Sequence, residues 1–458
     1  MSYRDIAVVL VVLLTLPSSF RRPFIGLLVF SWLAYMRPQD LCWGMARTMR
    51  LSFVVGLAMV VGWWANERGS RRFATWDFRS HAMLALGMLV AVSYAFATTH
   101  DEYTNSYFFE YLKIIAIALF TSGQVDSRQR LRAILWTIAL SLGFFGIKGG
   151  LFGLLTGGAK IMRGPGGMLE DNNDFALALV MNVPLLWYLG VSERTKPFVL
   201  RATQVAAFLT VVTIVLTQSR GGFLALCTTG LWIAWRSGKL IRALGVLLLL
   251  GAIFPLVAPQ DVLDRLSTIG NTKESSANAR FTAWATALRM IQDNPVLGVG
   301  MRNFKTRYPD YADAQSIRAN SSYVAHNSYL QIWAESGTIA FVVYLALLLS
   351  VFVVCRRVYR IGRSRPDLAW IADYARMMEA TTIGFLVGAF FLNRGHFDLV
   401  YHWLSLVTAL AAVAFGVYAK APVTAVAKAG RRAIAVRWRS PTAGSAAVAG
   451  WRRPGRWR

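Results

Sequence analysis

Residues Thr338–Cys355 read "TIAFVVYLALLLSVFVVC", eighteen positions without a charge. At 1.5 Å per residue they cover about 27 Å as a helix, close to the hydrocarbon thickness of a bilayer. The stretch therefore reads as a membrane span, and the fold class follows from it. Just ahead lies "AHNSYLQIWAESG", Ala325–Gly337, which puts His326 and Glu335 at the mouth of that span. Such groups serve either as anchors at the lipid boundary or as parts of a site facing water.

The rest of the chain repeats the pattern. Of 458 residues, 55% are hydrophobic and only 16% charged, with a mean hydropathy of +0.44. Apolar runs fall near 5–19, 22–36, 51–65, 82–98, 106–122, 131–155, 174–191, 198–218, 221–235, 243–258, 335–355, 378–393 and 403–419. The first two are the weakest and read as short, tilted or fused. Lipid offers no water to orphan backbone groups, so the spans must be helical. The expectation is an all-α polytopic membrane protein with about twelve transmembrane helices. The first run ends in "PSSFRRP" without a small-x-small site, which reads as a weak span or signal-like anchor rather than a cleaved signal. Cys42, Cys227 and Cys355 have no paired spacing, which points to apolar packing rather than a disulfide or a metal site.

A net charge of +26 would suit nucleic acid, but its placement does not. The basic residues cluster between spans, at Arg21 and Arg22, Arg68 to Arg79, Arg128 to Arg132, Arg194 to Arg201, Arg236 to Arg242 and Arg356 to Arg376. The tail from Lys420 carries ten Lys or Arg and no acid. This is the positive-inside pattern, with the tail beside anionic lipid and no nucleic-acid partner. The segments 100–106, 156–173, 218–222 and 393–402, and the long stretch from Pro259, then lie outside. The chain divides into N-terminal transmembrane helices over 1–258, a large helical outer loop over 259–334, C-terminal transmembrane helices over 335–419 and a basic tail over 420–458. In the loop, Phe281, Trp284, Leu288 and Ile291 recur at helical spacing. Ser276 or Asn278 is a candidate cap, and "DNP" at 293–295 ends the helix, whose stripe would pack on the span tops.

Arg163, Arg220 and Arg280 lie on the side where arginine is unexpected. An arginine near lipid requires an anion. Together these three suit a diphosphate clamp, although ion pairs with Glu170, Asp171 or Asp174, or snorkelling to headgroups, would also satisfy them. Gly221, beside Gly222, allows close backbone approach to a ligand. In "GPGGMLEDNND", Gly164–Asp174, an Asp or Asn caps the next span, and Asn172 and Asn173 can also meet sugar hydroxyls. The spacing matches no metal loop. His326 in a wet position, with a pKa near neutrality, suits a general base. On an ideal helix His326, Tyr329, Leu330, Trp333 and Gly337 share a face, whereas Glu335 points away and needs another partner. His396 and His402 are weaker candidates, and His81 and His100 read as structural. The chain has no Walker loop, HExxH, GxSxG or nucleotide-sugar DxD pair.

His326 and Asn327, then nine residues, then Gly337, resemble the histidine motif of the O-antigen ligase family, departing from it at Ala340, where Gly, Thr or Tyr is usual. "GPGGMLEDNNDFALAL" at 164–179, "SRGGFLAL" at 219–226 and "ARFTAWATALRMIQDNPVLGVGMRNF" at 279–304 resemble the same superfamily, which includes the O-antigen polymerases. The resemblance spans roughly 150–415. The front of the chain, "FRRPFIGLLVFSWLAYMRPQDLCWG", is similar to exosortase-associated O-glycosylation ligases. The resemblance implies a GT-C-like, multi-pass glycosyltransferase of the bacterial inner membrane with its active site facing the periplasm. It implies a donor glycan on undecaprenyl diphosphate, lipid A–core oligosaccharide as acceptor, membrane lipids as surroundings, and neither cofactor nor metal. His326 would deprotonate or orient the acceptor, and Arg220 and Arg280, with Arg163, would steady the diphosphate; Asn327, Tyr329 and Gly337 fall within the substrate-binding motif. A polymerase, a protein O-glycosylation enzyme and, in another class, a transporter of the same lipid are the competing readings.

Overall fold

The computed structural model describes residues 2–245, 248, 275–312 and 324–419. Residues 1–416 form one compact unit and 417–458 a second, of which only 417–419 are described. The described residues are helical, without strands beyond one isolated bridge between Arg163 and Asp171.

In chain order the helices are α1 (Tyr3–Arg21), α2 (Pro23–Tyr35), α3 (Leu51–Gly62, continued by a π turn to Glu67), α4 (Phe78–Ala95), α5 (Glu102–Gln124), α6 (Arg128–Leu155), α7 (Asn172–Ser192), α8 (Pro197–Leu216) and α9 (Arg220–Arg236). Then come α10 (Ser275–Asp293), α11 (Phe304–Tyr311), α12 (Ser328–Ser364), α13 (Ala369–Ala389) and α14 (Asp398–Ala419). Seven of these, α1, α4, α6, α7, α8, α12 and α14, are long and apolar enough to cross a membrane. Helix α2 and the α3 segment are apolar but shorter. The two weak N-terminal runs are separate helices, broken at Arg22 where Pro23 removes an N–H. Most of the apolar run at 243–258 lies outside the described residues.

Helices α7, α13 and α14 are buried around most of their circumference and form the centre of the bundle. Helix α6 lies close against α8 because it presents glycine at the contact. A Cβ on Gly150 would sit 2.4 Å from the Leu209 carbonyl oxygen, the small-residue packing that lipid-embedded helices favour. Helices α1 to α3 share their own apolar cluster, built on Val8, Val12, Leu33 and Val55.

The two ends of the bundle differ in charge. At one end the basic connections are cross-tied by ion pairs of Arg71 with Asp126, Arg194 with Asp373, and Arg236 with Glu379. The opposite end gathers residues 36–50, 96–101, 156–173, 217–220, 294–304 and 390–398, held together by side-chain bonds to backbone. Asn172 Nδ2 donates to the Thr217 carbonyl at 2.8 Å, Ser93 Oγ to that of Glu335 at 2.8 Å, and Asn303 Nδ2 to that of Thr99 at 3.2 Å.

The amphipathic helix forms where expected, but its register is rotated. Ala283, Thr286, Ala287, Met290 and Ile291 face inward, onto Val299, Phe304, Tyr308 and Ala334. Phe281 and Leu288 are 63% and 46% exposed, so of the expected stripe only Trp284 and Ile291 turn in. Small residues win the close contact because α10 lies flush on α12 and loop 294–304. The side chains of Ser276 and Asn278 lie outside the described residues.

Candidate active site

His326 is not on a helix. Helix α12 starts at Ser328, and Asn327 caps it by accepting from the N–H groups of Tyr329 (2.9 Å) and Leu330 (3.1 Å). His326 precedes this cap with φ at 45°, a left-handed conformation that turns the chain before the helix begins. A second break falls at Gly337, where φ is 82°. The expected common face of His326, Tyr329 and Gly337 therefore does not exist, because continuous helical geometry spans neither end of the stretch.

The break also resolves Glu335. Residues 295–304 run along the end of the short helix Ser328–Ser336. The N–H of Val299 donates to the Ala334 carbonyl (2.9 Å), that of Gly300 to Glu335 (3.0 Å), and that of Thr338 to Pro295 (2.8 Å). The buried Glu335 carboxylate accepts from Gln331 Nε2 at 3.3 Å and from the backbone N–H groups of Arg302 and Phe304. Its partners are thus residues 302–304 in the middle of the outer loop, and Glu335 fastens them to α12 rather than reaching His326.

Three charged groups act on one another around His326. The ring is half-buried rather than wet. Burial and then the Arg280 charge hold its pKa below the ordinary imidazole value, while Asp171 pulls the other way. Arg280, half-buried at the start of α10, has its own pKa lowered by burial and by the charge of Arg220. Arg220 opens α9, where Ser219 caps the helix by accepting from Gly222 N–H at 3.1 Å. Helix α10 is tied to the histidine segment by Trp284, whose Nε1 donates to the Ala325 carbonyl at 2.9 Å. Three distant stretches, 217–220, 280–284 and 325–327, thus bring two guanidinium groups and an imidazole to one place. Like charge on the exposed Arg220 and the half-buried Arg280 favours an anion beside them, and a neutral imidazole there can accept a proton.

The remaining expected residues are placed as follows. Asp171 caps α7 through the Asn173 N–H at 2.8 Å, and its backbone bridges that of Arg163, whose side chain is exposed. Asn172 is bonded to Thr217, and Asn173 Nδ2 donates back to Asp171 Oδ1 at 3.1 Å. Tyr329 donates from its hydroxyl to the Leu386 carbonyl at 2.7 Å. Gly221 faces Phe391, whose Cβ would lie 2.9 Å from an added Cβ, so the closeness it permits here is to protein. His402 accepts or donates at Nδ1 to the Tyr35 hydroxyl (2.8 Å) deep between helices, and His81 and His100 bond to local carbonyls.

Sequence reasoning missed Arg394, Arg302 and Arg37 at this end of the bundle. Arg394 forms a two-pronged ion pair with the buried Asp174, and its backbone N–H donates to Ser328 Oγ at 2.8 Å. Arg37 pairs with Asp40, and its guanidinium packs on Gly167. Arg394 stood in a loop already assigned to the outer side, so the signal was present. Arg37, Gln218, Arg302 and His326 are the non-glycine residues with positive φ among the described residues, and all four lie at this end. Strained backbone is a mark of functional segments.

Comparison with known proteins matches this part of the chain. Residues 3–194 fit a family model of unknown function. An uncharacterized protein of Haemophilus influenzae is 25% identical over 165 residues, covering 32% of this chain and 41% of that protein, so the match spans about two fifths of the relative's length. Residues 205–345 fit the family model described as O-antigen ligase, and that segment contains Arg220, Arg280, His326, Asn327 and Gly337. Over this segment, about a third of its length, the chain is similar to the O-antigen ligase family.

Proposed function

We propose that the protein is an O-antigen ligase of the bacterial inner membrane, multi-pass and spanning about twelve times, which transfers a glycan from undecaprenyl diphosphate to lipid A–core oligosaccharide on the periplasmic face. The observation that carries this is the meeting of His326, Arg280 and Arg220 at the end of the bundle opposite the basic connections. The acceptor hydroxyl attacks the anomeric carbon while His326 takes its proton or orients it. The bond from that carbon to the diphosphate oxygen breaks, and the charge gained by the leaving diphosphate falls to Arg280 and Arg220. A single displacement inverts the anomeric carbon. A polyprenyl diphosphate is already an activated donor, so the step needs neither nucleotide nor metal. Arg163, Asn172, Asn173, Gly221, Asn327, Tyr329 and Gly337 shape the surroundings of the two substrates in this reading, chiefly by fixing the loops that carry the charged groups.

Reconstitution with undecaprenyl-diphosphate glycan and lipid A–core tests it. Transfer should proceed in EDTA. His326→Ala, Arg280→Ala and Arg220→Ala should each lower it by about 10²–10³-fold, the usual loss when one electrostatic or proton-transfer partner is removed. Glycan ladders formed without lipid A–core would make it a polymerase, and transfer to Ser or Thr of a protein would make it a protein O-oligosaccharyltransferase. Movement of the lipid carrier with no glycan ever joined would make it a transporter and end the enzyme reading.

A further inference from the structure

The chain ahead of residue 205 also reaches the His326 site. Residues 161–171, between α6 and α7, form a hairpin. It closes where the Gly164 N–H donates to the Glu170 carbonyl at 2.8 Å and where the backbones of Arg163 and Asp171 bridge. The base of this hairpin serves two parts of the site. The Ile161 N–H donates to the Leu216 carbonyl at 2.9 Å, and Asn172 Nδ2 to that of Thr217 at 2.8 Å, just ahead of Arg220. Beside Asn172, the Asp171 charge acts on the His326 ring.

The tip of the hairpin is gripped by residues 36–41, between α2 and α3. Arg37 pairs with Asp40, and both side chains are mostly covered. The Arg37 guanidinium occupies the place a side chain on Gly167 would take, and Asp40 Oδ2 lies 3.1 Å from where a Cβ on Gly166 would stand. Met36 and Leu41 flank the pair and pack on the cluster that holds Phe175 and Leu179, as Ile161 does. To aim its side chain so, Arg37 holds φ at 47°, which a non-glycine residue keeps only where its surroundings enforce it. The pair has no net charge, and the Arg37 charge also acts on Asp398 at the head of α14. A guanidinium matched in this way fixes geometry and adds little pull on an anion.

Asp171 matters to His326 because burial and the Arg280 charge both weaken that ring as a base, and Asp171 opposes them. These are the charged groups that act on the ring among the described residues, Arg280 from α10 and Asp171 from the hairpin. A base is most effective with its pKa near the working pH, so a displaced Asp171 costs rate. We propose that Arg37, held by Asp40, is a positioning residue: it fixes the hairpin so that Asp171 stands by His326 and the segment ahead of Arg220 keeps its place. That this placement serves transfer rests on the glycan-transfer reading.

The test titrates His326 directly by NMR, in the full chain in nanodiscs with carbon-13 at histidine Cε1, the His326 signal being the one lost in His326→Gln. Asp171→Asn, which still caps α7, should move the titration to lower pH. Arg37→Ala should move it in the same direction, and so should Gly167→Ala, which displaces the guanidinium without changing any charge. Arg37→Ala combined with Asp171→Asn should go no lower than Asp171→Asn alone. A direct charge effect of Arg37 has the opposite sign, because removing a cation eases protonation. A role in folding alone lowers the yield and leaves His326 unmoved. Either result overturns the proposal, as does full additivity of Arg37→Ala and Asp171→Asn, or an Asp171→Asn that leaves His326 where it was. In transfer assays Arg37→Ala should lower kcat by up to about 10²-fold, the loss a small misplacement brings, with KM little changed. An unchanged kcat, or a change confined to KM, overturns the role. If the unaltered protein joins no glycan, the glycan-transfer reading falls, and the His326 titration still decides the positioning.

Discussion

His326 draws its proposed chemistry from neighbours that sequence spacing does not place beside it. Burial and Arg280 lower its pKa, and Asp171 opposes them. A base works in its neutral form, so transfer should stay flat as pH falls through 6.5 and decline only below that. Asp171→Asn removes a raising influence and should move the acid limb lower still; Arg280→Gln removes a lowering one and should move it up, on top of its loss of rate. A pH profile of kcat/KM decides this, and a limb that stays put in both variants would remove His326 from the role of base. Arg220 and Arg280 stood out in the sequence because the charge bias made arginine unexpected there, although Arg37, Arg302 and Arg394 lie at the same end and were passed over. Glu335, Asp174 and Arg394 were not legible as partners, because their contacts come from segments dozens to hundreds of residues away.

Helices were legible as helices, and their interruptions were not. Apolar runs located helices, but the stretch from His326 to Gly337 was read as one ideal helix, whereas the helix runs only Ser328–Ser336 before the break. Gly337 alone separates that helix from the span, at φ 82°, with the Val296 carbonyl oxygen 1.9 Å from where a Cβ would stand. Gly337→Ala should therefore cost about 2 kcal/mol or more, from strained backbone and steric overlap together, seen as a lowered midpoint when the detergent-solubilised protein is heated and run on a sizing column. An unchanged midpoint would mean that residues 295–297 give way without cost. The Asp174–Arg394 pair, which ties α7 to the loop before α14, belongs to the same scale. Asp174→Ala leaves the partly buried Arg394 guanidinium unmatched and should cost about 2 kcal/mol. The double variant with Arg394→Leu should recover part of that loss, and strict additivity would deny the coupling. The register of α10 was misread for a different reason: spacing marks large apolar residues, whereas a helix pressed flat on its neighbours buries alanines.

Across the whole molecule, charge distribution foretold the two unlike ends before any contact was known. With the native cysteines replaced by serine, a single cysteine at Tyr103, which is 47% exposed, should react with a membrane-impermeant maleimide added outside spheroplasts. One at Arg194, whose side chain is 59% exposed among the basic connections, should react only after the membrane is opened. The reverse pattern would invert the orientation. The joint at Gly337 also separates two length scales. Beyond it, α12 continues for 27 residues, from 338 to 364: the apolar stretch to Cys355 covers about 27 Å, close to a hydrocarbon core near 30 Å, and the rest carries Arg356, Arg357, Arg360 and Arg363 out past it. The short helix ahead of the joint is instead fastened to residues 299, 300 and 392 by hydrogen bonds of 2.7 to 3.0 Å. The joint thus sets a helix matched to lipid against one fastened to protein, and the histidine segment takes its position from residues 299, 300 and 392 rather than from the membrane.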